Sequence, residues 1–185
     1  MRTIKRSLAF ALVVGMAVFL VRWGWGGIQN MLYPVRYYNL IQQAAAEYDL
    51  EPALICGIIK TESNFVYDAH SGVARGLMQI TEDTAAWIAK KMPMEKFSQE
   101  MLDEPRINIL MGCFYLRYLI DYYKDLPVAL AAYNAGMGNV NRWLSNKQYS
   151  PDGKTLSEIP FAETNEYVKR VEKYTHVYRK ELAKQ

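Results

Sequence analysis

Glu62 stands where an apolar side chain belongs. Leu54, Ile55, Ile58 and Ile59 recur at the spacing of one helix face, the pattern of a segment that packs on a core. Glu62 continues that stripe, four residues after Ile58, three after Ile59 and seven after Ile55. A carboxyl in that place is withdrawn from water. Near the end of its helix it also meets the negative pole of the helix dipole. Both effects penalise the ionised form and raise the pKa. A carboxyl that keeps its proton near neutral pH can donate it as a general acid and take one back as a base. The same periodicity fits a buried glutamate satisfied by an arginine or by backbone donors, and spacing alone does not separate the two.

Further segments hold residues suited to a polar site. Glu62-Ser63-Asn64-Phe65 is followed by Ser71 and then by Gly76-Leu77-Met78-Gln79-Ile80. Asn108-Ile109, Gly112 and Tyr115-Leu116 lie on one long apolar segment. Ala132-Tyr133-Asn134-Ala135-Gly136 comes next, then Ile159-Pro160-Phe161, Glu163-Thr164 and Tyr167-Val168. Each has an ordinary structural reading when taken singly: a turn before a capped helix, a helix C-cap, a core aromatic.

The elements that must position these residues read as helices almost throughout. Apolar spacing predicts a first helix over 35–48 and a second over 52–65, with Pro52 in its first turn. Residues 66–80 lack a period and read as a loop containing Gly72 and Gly76. Thr81 is placed to cap a third helix with Glu82 and Asp83 in its first turn and Lys90 and Lys91 in its last. Pro105 opens a long helix to residue 123. Pro127 opens a short one that ends at Gly136, and 140–144 adds a turn or two. Residues 146–160 read as a surface loop. Thr164 is expected to cap a last helix running to about residue 182.

Charge and composition narrow the function. The chain has 185 residues, 51% of them hydrophobic, enough for one packed domain and a short extension. Of its 22 basic residues, four (Arg2, Lys5, Arg6, Arg22) lie in the acid-free stretch 1–28, which leaves 18 against 19 acids. A near-neutral body argues against nucleic-acid binding, which needs a basic face. Cys56 and Cys113 sit in apolar runs and read as buried free thiols rather than a disulfide. Without a Cys/His cluster, neither a metal nor another cofactor is expected.

Arg2, Lys5 and Arg6 precede an uncharged run from residue 8 to 21, followed by Trp23 and Trp25. Fourteen residues are short for a membrane span, but Arg22 can snorkel and tryptophans favour the interface. Residues 1–28 are therefore read as a signal-anchor or transmembrane segment, with the N-terminus inside and the body exported. Secretion after signal cleavage is the alternative. Residues 29–36 form a connector.

The motifs in this order (ES-x-F, GLMQ, AYNAG and ET-x-x-YV) resemble the SLT-type lytic transglycosylases, the catalytic domain of soluble lytic murein transglycosylases. The resemblance implies a mostly α, lysozyme-like helical domain of the goose-type lysozyme group over 37–183. It implies an enzyme, a carbon–oxygen lyase, whose substrate is the peptidoglycan glycan strand at the β-1,4 MurNAc–GlcNAc bond. Glu62 matches the family's catalytic glutamate. Ser71 and Tyr133 match positions lining the reacting centre. Gln79 and Asn134 match sugar-binding positions, Met78 a pliable groove wall, and Glu163 a second acid assigned to substrate binding. Phe65 and Tyr167 are read as packing or binding residues without a choice between them. The loop Val66-Tyr67-Asp68-Ala69-His70 departs from the proline and small polar residues common in related sequences.

Two other functions fit parts of this pattern. A goose-type hydrolase would cut the same bond with a positioned water, and Asp68 is the nearby acid that keeps it open. A non-catalytic wall-binding scaffold would not need Glu62, Ser71 and Tyr133 together. A wall-spanning machine as partner leaves no mark in the sequence.

Overall fold

The computed structural model describes residues 16, 31–92, 94 and 96–184. The chain divides into two units, 1–36 and 37–185, and the second holds every element that positions Glu62. The expected anchor, 1–28, lies outside the described residues except for Met16. Among the described residues no helix is long and apolar enough to cross a membrane.

The second unit is mostly helical. Helix α1 (Tyr38–Tyr48) begins three residues later than periodicity suggests, because Tyr37 adopts a left-handed backbone at φ 58°. Helix α2 (Pro52–Glu62) starts on a proline, as expected. It ends at Glu62 and not at Phe65, because Asn64 and Phe65 are left-handed at φ 53° and 64°. That early stop makes Glu62 the last residue of its helix.

The segment expected as a plain loop, 66–80, holds most of a small antiparallel sheet instead. Its strands are β1 (His70–Ser71), β2 (Ala74–Arg75) and β3 (Ile80–Thr81), in the order β1-β2-β3. His70 pairs with Arg75 and Arg75 with Ile80. Two-residue strands carry no periodicity, so no pattern announces them. Gly72, at φ 61°, takes the first turn position between β1 and β2, where a two-residue hairpin favours glycine.

Helix α3 (Glu82–Ala89) is capped by Thr81, whose hydroxyl accepts from Thr84 N at 3.3 Å. It ends before Lys90 and Lys91. A 3-10 turn (Gln99–Asp103) leads into α4 (Pro105–Tyr123). Helix α5 (Leu126–Ala135) is capped by Asp125. Gly136, at φ 81°, closes it and at once opens α6 (Met137–Leu144), three residues earlier than expected. The loop from 145 to 161 is internally braced. Asp152 accepts from Lys154 N and Thr155 N, both at 2.8 Å, and these donors hold its carboxyl well below the usual range.

Helix α7 (Ala162–Leu182) starts after Phe161, so Thr164 lies inside it and does not cap it. It packs more extensively on α2 than any other pair of elements packs together. They approach tightly at Gly57, where a Cβ would stand 2.6 Å from Thr175 Oγ1 and 3.0 Å from Val171 O. At the far end Arg179 grips Glu51 with two hydrogen bonds of 2.6 and 2.7 Å. The core is filled by Ile55, Ile58 and Ile59 of α2, Met111 and Leu116 of α4, 128–132 of α5, and Val171 and Tyr178 of α7. Cys56 and Cys113 are buried free thiols, and burial pushes both pKa values up.

Candidate active site

The end of α2 is held from several directions. Ser63 follows Glu62, and its hydroxyl donates to Leu77 O at 2.8 Å and to Ile59 O at 3.2 Å. Phe65, fully buried, lies 5.9 Å from the Tyr178 ring of α7. The helix end is thereby tied to the 76–79 segment on one side and to α7 on the other.

The Glu62 carboxyl is half-buried, and loss of water raises its pKa from 4.5 to about 7. The Tyr167 hydroxyl and the Arg170 charge pull it partly back, and the Glu163 charge raises it further. Glu163, Tyr167 and Arg170 stand at i, i+4 and i+7 on α7, one helix face turned toward Glu62. Tyr167 is buried, and its hydroxyl lies near enough to Glu62 to lower its pKa without forming a hydrogen bond of full geometry. Its proximity to Glu62 was not readable from periodicity. The available signal was its place four residues after Glu163.

Tyr133, near the end of α5, also lies near Glu62. Burial and the Glu62 charge keep its phenol neutral, far above its usual pKa. Its hydroxyl donates to Met78 O at 2.9 Å. The Met78 side chain is fully buried and packs on Gly112, where a Cβ would meet its sulfur at 2.4 Å. Met78, expected as an apolar wall of a groove, thus reaches the site through its carbonyl, and its side chain belongs to the core.

The 76–79 segment hangs on Asn108 of α4. Its Oδ1 accepts from Met78 N at 2.8 Å, and its Nδ2 donates to Arg75 O and Leu102 O, each at 2.9 Å. Gly76, at φ 77°, leaves room for this amide, since a Cβ there would sit 2.1 Å from Nδ2. Sequence reading singled out Asn108 as part of a motif but not as the clasp of this segment.

Ser71 and Gln79 come together on the small sheet. The Ser71 hydroxyl donates to Gln79 Oε1 at 2.5 Å, and Gln79 Nε2 donates to Ala69 O and Gly76 O at 2.9 and 2.8 Å. The Gln79 amide therefore braces the hairpin that presents Ser71. Asn134 accepts from Thr164 Oγ1 at 2.7 Å, which locks the end of α5 to the first turn of α7. Glu163 is exposed in that turn. Asp68 is exposed in the loop before β1. Among the described residues, no group of three or more His, Cys, Asp or Glu is placed to hold a metal ion.

One half-buried carboxyl with a pKa near neutrality, flanked by two neutral phenols, can give and retake a proton. Glu163, whose charge acts on Glu62, adds a carboxylate with hydrogen-bonding capacity suited to a polar ligand, while Ser71 pairs with Gln79 and Asn134 with Thr164.

Residues 39–155 match the family model described as the transglycosylase SLT domain. The chain is 35% identical over 151 residues to a soluble lytic murein transglycosylase of Salmonella typhimurium, a match covering 80% of this chain and 23% of that protein. It is 30% identical over 168 residues to a membrane-bound lytic murein transglycosylase C of Sodalis glossinidius, covering 78% and 47%. The crystal structure of an inactive variant of the lytic transglycosylase Slt of Pseudomonas aeruginosa superposes with a TM-score of 0.73 at 33% identity, covering 84% of this chain and 26% of that one. The chain thus spans about a quarter of the length of the first of these relatives. The mostly helical lysozyme-like architecture expected from the sequence is the one observed.

Proposed function

The chain belongs to the transglycosylase SLT domain family, and on that premise we propose that it cuts the β-1,4 MurNAc–GlcNAc bond of peptidoglycan without water. Glu62 acts twice. Protonated, it gives its proton to the glycosidic oxygen as the C1–O bond breaks and the GlcNAc end departs with the bonding electrons. The N-acetyl carbonyl of the same muramoyl ring meets the positive charge left at C1, so no second carboxylate is needed, unlike the usual two-carboxylate scheme. The Glu62 carboxylate then takes the proton of the C6 hydroxyl as O6 bonds to C1. The product is a 1,6-anhydromuramoyl end, and Glu62 is again protonated.

The observation that supports this reading is the position of Glu62, withdrawn from water at the end of α2, with a pKa raised to about 7. At that value it is available both as acid and as base near neutral pH. Ser71 and Tyr133 line the reacting centre. Asn134 and Glu163 meet the hydroxyl and acetamido groups of the sugars, Gln79 shapes the groove from the hairpin side, and Met78 contributes through the carbonyl that holds Tyr133. The domain of this activity spans 37–183, after a connector at 29–36.

Residues 1–28 anchor the enzyme in the cytoplasmic membrane with the catalytic part outside. The basic-then-apolar order of that stretch and the similarity to a membrane-bound relative support this placement. The full chain and its Glu62→Gln variant, incubated with purified peptidoglycan, test the reading. Soluble muropeptides should come from the wild type only, and equal release by the variant would refute it.

A further inference from the structure

The hairpin that carries Ser71 is gripped on both of its faces. Ser71 and Ala74 are cross-strand partners, and His70 and Arg75 are the next pair. Successive residues of a strand point to opposite faces. Ser71 turns to Gln79, and His70 and Arg75 turn the other way, onto the 3-10 turn that precedes α4. There Asp103 meets both. Its Oδ1 lies 3.3 Å from His70 Nε2, and its Oδ2 accepts from Arg75 Nη1 at 3.3 Å.

The two contacts hold different strands. Arg75 belongs to β2, whose main chain Asn108 already fixes through Arg75 O. His70 belongs to β1, the outer strand, which pairs with β2 alone. The contact of His70 with Asp103 gives that strand its own tie to the start of α4. Asp103 Oδ1 is shut off from water and lacks a hydrogen bond of full geometry. A buried acceptor in that state costs free energy until a donor reaches it, and an imidazole N–H is such a donor. His70 also ends the segment 66–70, none of whose side chains the proposed chemistry uses.

We propose that His70 is a positioning residue for Ser71: by tying β1 to Asp103 it keeps the Ser71 hydroxyl at the reacting centre. The inference rests on the reading of Glu62 as a glycan-cutting acid with Ser71 beside the reacting sugar. Gln79 holds one face of the hairpin, through Ser71 and Ala69 O, and Asp103 holds the other. With both in place β1 cannot swing about β2. Without His70 the outer strand is held from the Gln79 side only, and Ser71 spends part of its time away from the site. Partly exposed charged contacts are individually weak, so the expected loss is a few-fold in rate with the fold retained.

The test is a double-mutant cycle on the full chain, read as the rate of muropeptide release from purified peptidoglycan. His70→Ala should lose about three- to fivefold, and His70→Gln, which keeps a donor, should recover most of that. In the Ser71→Ala background the same His70→Ala change should cost less than about 1.5-fold, because it acts through Ser71. Equal losses in the two backgrounds, or no loss from His70→Ala, overturn the proposal. Hydrogen exchange checks the tie without turnover. The Gly76 amide, which donates to Ala69 O at 2.9 Å, should exchange about threefold faster in His70→Ala and in Asp103→Asn, with α2 and α7 unchanged. Exchange at the wild-type rate in both variants sinks the tie, whether or not the enzyme is active. If exchange responds as expected but the wild type releases no muropeptides, the tie stands and the reading of Glu62 falls, together with the role of Ser71 in it.

Discussion

The Tyr133 hydroxyl donates to the Met78 carbonyl at 2.9 Å, joining the end of α5 to the segment that Asn108 holds. Tyr133 also feels the charge of Glu62, so this bond fixes one wall beside the carboxyl. Removing the hydroxyl with Tyr133→Phe leaves the Met78 carbonyl without that donor. Stability should fall by about 1 kcal/mol in urea unfolding. Release of muropeptides should fall further than that loss of stability accounts for, because the wall beside Glu62 loosens.

Glu62 starts the reaction only while it holds a proton. With its pKa at about 7, kcat/KM should fall above neutrality, by about tenfold per pH unit once the carboxyl is ionised. A pH–rate profile flat from neutral to alkaline would show that the proton comes from elsewhere.

The same raised pKa has a consequence for stability. Between pH 4.5 and about 7 the folded chain keeps the Glu62 proton while the unfolded chain releases it. The unfolded state then binds fewer protons, so stability is lost as pH rises through that window. The full effect is on the order of 3 kcal/mol, at about 1.4 kcal/mol per unit. Glu62→Gln removes it. Urea unfolding at the two ends of the window should show the variant gaining on the wild type as pH rises.

Asn108→Leu should be costly. It strips partners from Met78 N, Arg75 O and Leu102 O, at roughly 1–3 kcal/mol for each group left unsatisfied. Circular dichroism should show the helices retained at low temperature, with the unfolding midpoint sharply lowered and activity lost.

Gly57→Ala places a methyl 2.6 Å from Thr175 Oγ1 and 2.9 Å from Thr175 N. Helices α2 and α7 must part, at a cost of about 1–3 kcal/mol. Because Glu62 ends α2 while Tyr167 and Arg170 ride on α7, the pH midpoint of activity should shift along with the loss of stability.

Long periodic elements were legible in the sequence. Leu54 to Ile59 predicted α2 and its buried face, and prolines 52 and 105 marked helix starts correctly. The small sheet was not legible, because two-residue strands have no period and are made by turns at Gly72 and Gly76. Helix ends slipped where non-glycine residues take left-handed backbone, as at Tyr37 and Asn64. Thr164 looked like a cap and instead reaches across to Asn134, a tertiary choice that no local pattern carries. In the site, Glu62 stood out as a carboxylate on an apolar stripe. The closeness of Tyr167 and Arg170 to it did not, since both depend on how α7 crosses α2 over Gly57.

The central claim is that one carboxylate cuts the glycan with the substrate's own C6 hydroxyl as nucleophile. Mass analysis of the muropeptides released from purified peptidoglycan tests it most directly. Every new muramoyl end should be one water lighter than a reducing end and resist borohydride reduction. New ends that carry the full mass of water and are reduced by borohydride would contradict the claim and assign the cut to hydrolysis, with Asp68 the first acid to examine.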